Sequence, residues 1–147
     1  MSESDYVNTL TKMISLDQAG VLKYSAFLEM GRVSTLRDCI TNQIKMIKTR
    51  ILAQTYIRDC LMGTKEYDSD VLDMFHSATK ICLYQITKKL DELVGDGSIN
   101  EEEYNKRMNS NKILYDNNER RFLVIDAFTI GDIDDAFGKL IQHLTNN

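Results

Sequence analysis

Proline is absent from all 147 residues of this chain. Proline lacks a backbone N–H, and its ring clashes with the preceding turn, so it damages a helix interior more than any other residue. At an average usage of about 5%, several prolines would be expected in a chain of this length. Without them, breaks between elements must come from glycine and capping residues, and the all-α fold class is predicted.

Two long segments, Ser34–Met62 and Ser69–Val94, show uninterrupted helical spacing of apolar residues. Ser34 or Thr35 is suited to cap the first segment, and Gly63 follows its end. The short connection between the two segments favours antiparallel packing. The sequence therefore predicts a long antiparallel helical hairpin, formed by residues 34–62 and 69–94.

Shorter segments on both sides of this hairpin also have amphipathic helical spacing. The apolar run near residues 122–130 fits a buried strand as well as a helix, but no second strand candidate exists to pair with it, so a helix is predicted. Together the segments predict one domain, residues 1–147, folded as a helical bundle of six or seven helices. The shorter predicted helices are Ser4–Ser15, Asp17–Met30, one from Asn100 to about Met108, Glu119–Ile130 and Asp132–Leu144.

The segment between residues 92 and 103 resembles an EF-hand calcium loop in its second half, where Asp96, Gly97, Asn100 and Glu103 occupy the matching positions. The first position is a glutamate, and the third is Val94, which has no ligand oxygen. A glycine turn followed by a helix capped by Asn100 explains the same residues. We therefore predict a structural turn and no metal site.

No catalytic motif, cofactor-binding fingerprint or metal-ligand cluster occurs in the sequence, and no enzyme activity is predicted. The three cysteines are widely spaced, which is typical of small buried hydrophobic residues and not of a disulfide framework. The two histidines have no carboxylate or nucleophile at a recognisable spacing. These residues are Cys39, Cys60, Cys82, His76 and His143.

Basic residues are concentrated in the segment 34–62, although the whole chain carries a net charge of −4 and has a pI near 5.2. Lys45, Lys48 and Arg50 are the candidate residues for contacts with nucleic-acid phosphates. Domains that bind nucleic acids are usually basic, so any nucleic-acid affinity is expected to be weak. An accessory nucleic-acid-binding protein is the alternative function.

Leu52 and Tyr56 are the candidate protein-binding residues, because helical spacing places both on the outer side of the segment 34–62. The preferred function is a non-enzymatic interaction module that binds a protein partner, associates with itself, or does both. No apolar stretch is long enough to span a membrane, and the N-terminus is acidic, so a cytoplasmic location is expected. A composition rich in isoleucine and asparagine and lacking tryptophan suggests an AT-rich coding genome, such as that of a phage or another virus.

Overall fold

A computed structural model describes the backbone of residues 3–30 and 34–129, and the side chains of residues 5–30 and 35–119. These residues form no strand, which confirms the all-α fold class. Their elements are α1 (Glu3–Glu29), a single 3-10 turn (Ser34–Leu36), α2 (Arg37–Leu61), α3 (Ser69–Gly95) and α4 (Glu101–Thr129).

The described residues form four α-helices, fewer and longer than the six or seven predicted for the chain. The predicted helices Ser4–Ser15 and Asp17–Met30 form one helix, because a single glycine such as Gly20 costs only about 1 kcal/mol inside a helix. The helices predicted around residues 100–108 and 119–130 likewise join in α4. The last predicted helix, Asp132–Leu144, lies outside the described residues.

The predicted hairpin is present as α2 and α3. Lys89 Nζ lies 3.9 Å from Asp38 Oδ2 near one end, and the rings of Tyr56 and Phe75 lie 6.4 Å apart near the other. These two contacts can form together only if the helices are antiparallel. The predicted start of the first hairpin helix is wrong in detail: a 3-10 turn precedes α2, and Leu36 occupies the cap position without a side-chain hydrogen bond.

Helix α2 is central, because it packs against α1, α3 and α4. Val21 and Leu28 of α1 pack near the start of α2, whereas Leu10 packs near its end, so α1 and α2 are antiparallel. Helix α4 packs on α3, and Tyr104 Oη donates a 2.6 Å hydrogen bond to Asp91 Oδ1 near their connection. The larger core cluster comprises Leu36, Cys39, Ile40, Ile44, Met46, Cys82, Ile86, Leu90 and Leu93.

The connection between α3 and α4 is the glycine turn predicted from the sequence. Gly97 has a φ of +80°, a conformation that L-residues rarely adopt. The Ser98 N–H donates to Asp96 Oδ1 at 2.8 Å, and the Glu103 N–H donates to Asn100 Oδ1 at 2.8 Å, which confirms Asn100 as the helix cap. The Glu103 carboxylate, however, accepts a hydrogen bond from Arg107 Nε and does not reach back to the cap.

Candidate protein-binding surface on the α2–α3 hairpin

A polar groove runs between α2 and α3 on the outer side of the hairpin. Its basic groups are Lys45 from α2 and Lys88 and Lys89 from α3. Lys89 lies 3.9 Å from Asp38 and 4.0 Å from Glu92, so its charge is partly compensated. The complete lining is Asp38, Thr41, Asn42, Lys45, Gln85, Lys88, Lys89 and Glu92.

The groove becomes apolar where it continues along the hairpin. On α2, helical periodicity places Leu52 in line with Lys45, because seven residues make about two turns. On α3, Ile81 and Met74 precede Lys88 by seven and fourteen residues and lie on the same line as Lys88. Leu52, Ile81 and Met74 are 58%, 59% and 61% exposed. The antiparallel register places Leu52 between the levels of Met74 and Ile81, which lie about two helical turns apart on α3.

We call this surface the hairpin groove. Its basic half contains Lys45, Lys88 and Lys89, and its apolar half contains Leu52, Met74 and Ile81. The basic half is a groove between the two helices, and the apolar half continues along the same line; grooves between helices are typical of sites that receive a helix or a peptide. Exposed Lys48 lies on the outer edge of α2, and exposed Tyr84 lies on the outer edge of α3.

The expectation that Tyr56 is exposed on the outer side of its helix is wrong, because the connection between α2 and α3 covers it. Tyr56 is only 8% exposed. Its hydroxyl donates a hydrogen bond to the Glu66 carbonyl at 2.9 Å and accepts one from the Asp68 N–H at 2.6 Å. Burial raises the pKa of this hydroxyl. Tyr56 therefore holds the connection between α2 and α3 and is not an exposed anchor for a partner.

The expectation that Arg50 contacts phosphates is also wrong, because Arg50 is buried beneath the surface. Its Nε and Nη2 donate to the Asp17 carboxylate at 3.0 and 2.6 Å, and its Nη1 donates to Asn118 Oδ1 at 3.1 Å. Gln54 Nε2 donates to the same Asp17 carboxylate at 2.9 Å, and Asn118 Nδ2 donates to the Met46 carbonyl at 3.0 Å. Lys45 and Lys48, in contrast, are exposed.

The buried polar network of Asp17, Arg50, Gln54 and Asn118 joins α1, α2 and α4. It was not predicted from the sequence. A signal was present: Asp17 continues the buried line of Tyr6, Leu10 and Met13 along α1. A charged residue on an apolar line indicates either a helix boundary or a buried ion pair. The predicted boundary between the first two helices falls at this position, and the partner Arg50, in another helix, cannot be inferred from spacing.

A contact between His76 and Glu119 joins α3 to α4, and the three cysteines are free thiols. His76 Nδ1 on α3 lies 3.0 Å from Glu119 Oε2 on α4. Cys39 and Cys82 are buried free thiols, as predicted, whereas Cys60 is partly exposed, and burial raises the pKa of all three. A raised pKa lowers the thiolate fraction and therefore the nucleophilicity.

In the described ranges, 3–30 and 34–129, no three histidine, cysteine or acidic side chains come together in a way that could hold a metal ion. Over the same ranges, no helix combines the length and apolar character needed to cross a membrane.

Comparisons of the chain with protein-family models, with curated proteins and with solved structures found no match.

Proposed function

We propose that this chain is a non-enzymatic helical interaction module, which acts as an adaptor, assembly factor or inhibitor of a larger protein machine through the hairpin groove. The observation that carries the proposal is the exposure of Leu52, Met74 and Ile81 in line with a groove between two helices. Single exposed apolar residues are normal, but a contiguous apolar surface is typical of a binding site.

The energetics also favour protein binding. Fully burying an aliphatic or methionine side chain contributes about 1.5–3 kcal/mol, so three such side chains can anchor a partner helix. Lysines continue along the same groove, and charge complementarity therefore favours a partner that combines an apolar face with acidic residues.

The proposal is tested by photo-crosslinking in the cells that naturally contain the protein. A photo-reactive residue replaces Leu52 in one variant and Leu22 in the matched control, because Leu22 is 72% exposed but lies on α1. We expect protein adducts from position 52 that disappear when Ile81→Asp is added. Equal adducts from both positions, or adducts that survive Ile81→Asp in a protein still folded by circular dichroism, would contradict the proposal.

An accessory nucleic-acid-binding protein is the second candidate, and the exposed lysines of the hairpin support it. Because Arg50 is buried, the exposed lysines available for phosphate contacts beside the hairpin groove are Lys45, Lys48 and Lys88. Neutralising two or three phosphates gives a logarithmic salt slope of only about −2 to −3 on duplex DNA. Submicromolar binding of DNA or RNA at physiological salt, lost in Lys45→Glu/Lys48→Glu, would favour this function over protein binding.

We also propose that the chain is encoded by a phage or another virus and acts in the host cytoplasm. The bias toward isoleucine and asparagine supports an AT-rich source. Locating the coding sequence beside virion or phage genes, together with fractionation of infected cells, would test this proposal. A chromosomal locus without such genes would contradict it.

A further inference from the structure

The two halves of the hairpin groove differ in chemistry and follow one another along the same line. The basic half is centred on Lys45 and Lys88, and the apolar half is centred on Leu52 and Ile81. A matching helical ligand has acidic residues in its first turn and an apolar face in the turns that follow.

We propose that the hairpin groove binds the segment 132–144 of a second copy of this chain. That segment begins with three aspartates and continues with apolar residues at helical spacing. This inference rests on the proposed function, because it names the partner of the same surface. The aspartates are Asp132, Asp134 and Asp135, and the apolar residues are Ile133, Ala136, Phe137, Leu140, Ile141 and Leu144.

The spacing of the two sets of residues agrees. Seven residues separate Lys45 from Leu52, which corresponds to about 10 Å along a helix. Seven residues also separate Asp134 from Ile141. A helical ligand running in the same direction as α2 therefore places Asp134 beside the lysines and its apolar residues beside Leu52 and Ile81. Asp132 and Asp135, in the same first turn, add to the negative charge at that end of the ligand.

The ligand helix must run in the same direction as α2, and this requirement favours the segment of a second copy over the segment of the same chain. Asn118 of α4 bonds to Met46 and Arg50 of α2, and the start of α4 packs near the start of α2, so α4 runs parallel to α2. A segment that follows α4 and turns back onto its own groove would run opposite to α2. Its aspartates would then lie at the apolar half. Reciprocal exchange between two copies avoids this conflict and gives a closed twofold dimer.

Charge reversal provides the test. One variant carries Lys45→Glu/Lys88→Glu, which leaves the ion pair of Lys89 with Asp38 intact, and the other carries Asp134→Lys/Asp135→Lys. The dimer dissociation constant is measured by sedimentation equilibrium for each variant alone and for an equimolar mixture. Like charges face each other in both homodimers, whereas the mixed dimer has opposite charges at both grooves. We expect each variant alone to associate about tenfold or more weakly than wild type, and the mixture to regain wild-type affinity.

The matched control is Lys12→Glu/Lys23→Glu on α1, which makes the same charge change at exposed positions and should leave dimerisation unchanged. A monomeric wild-type chain, or a mixture no stronger than its components, would overturn this inference. Neither result would affect the crosslinking from position 52, so failure of this inference is distinguishable from failure of the proposed function.

Discussion

The buried ion pair between Arg50 and Asp17 allows the sharpest prediction about stability. Both residues are less than one-tenth exposed. Replacing Arg50 by methionine removes three hydrogen bonds, and it leaves the Asp17 carboxylate buried without the guanidinium and the Asn118 side-chain oxygen without this donor. Removing one partner of a buried ion pair costs about 3–5 kcal/mol.

That cost is a large part of the total stability, because domains of this size are stable by only about 5–15 kcal/mol. At about 2–4 °C per kcal/mol, Arg50→Met should lower the melting temperature by roughly 10 °C, as measured by circular dichroism. Lys48→Met, on the same helix but exposed, is the matched control and should change stability by less than about 0.5 kcal/mol.

A double-mutant cycle separates the ion pair from the packing of the two side chains. We expect Arg50→Met and Asp17→Leu each to destabilise strongly, and the double variant to lose about 2 kcal/mol less than the sum of the two losses, because it leaves neither charge buried without the opposite charge. Strictly additive losses, or an Arg50→Met protein as stable as Lys48→Met, would refute the reasoning.

Four further predictions concern the core, the connections and the glycine turn. Ile47→Asp should destabilise the fold by several kcal/mol, because Ile47 is buried and an unpaired carboxylate is costly there; an unchanged melting temperature would contradict its core position. Tyr56→Phe should cost about 1–3 kcal/mol in urea unfolding, since it leaves two backbone groups of the α2–α3 connection without their partner; an unchanged midpoint would show that the hydroxyl is dispensable. The hydrogen bond from Arg107 lowers the pKa of Glu103, so its contribution to stability is present above the ordinary glutamate pKa of about 4.3 and is lost as pH falls below that value. Glu103→Gln should therefore be less stable than wild type at neutral pH and should lose less stability on acidification below about pH 4.3; an unchanged acid dependence in urea unfolding would contradict this reasoning. Calcium should produce no binding heat in titration calorimetry, and saturable binding that Asp96→Ala abolishes would contradict the structural interpretation of the turn.

The sequence predicted local structure well, because caps and periodicity are local properties. Asp68 caps α3 by accepting the Asp70 N–H at 2.9 Å, and Asn100 caps α4. Helix continuity was harder to predict. Gly20 and the polar stretch within α4 weaken local helix propensity, but packing against α2 outweighs a cost of about 1 kcal/mol.

The side chains of α2 were harder to place, because three other helices pack around it. Periodicity distinguishes one buried face from one exposed face, whereas α2 leaves only a narrow strip exposed beside α3. Leu52 lies in that strip and Tyr56 lies at its edge, covered by the connection to α3. Arg50 lies on the side facing α1 and α4, so its burial depends on elements distant in the sequence.

Two groups of residues that break the simple rule of apolar inside and polar outside have different explanations. Arg50 and Asp17 are polar and buried, and their hydrogen bonds within the network account for that position. Leu52, Met74 and Ile81 are apolar and exposed, and no described contact of the core clusters includes them. Departures from consistent patterning without internal compensation are expected where a protein functions. The first group therefore explains how three helices are fixed around one another, and the second supports the hairpin groove as the surface that binds a partner.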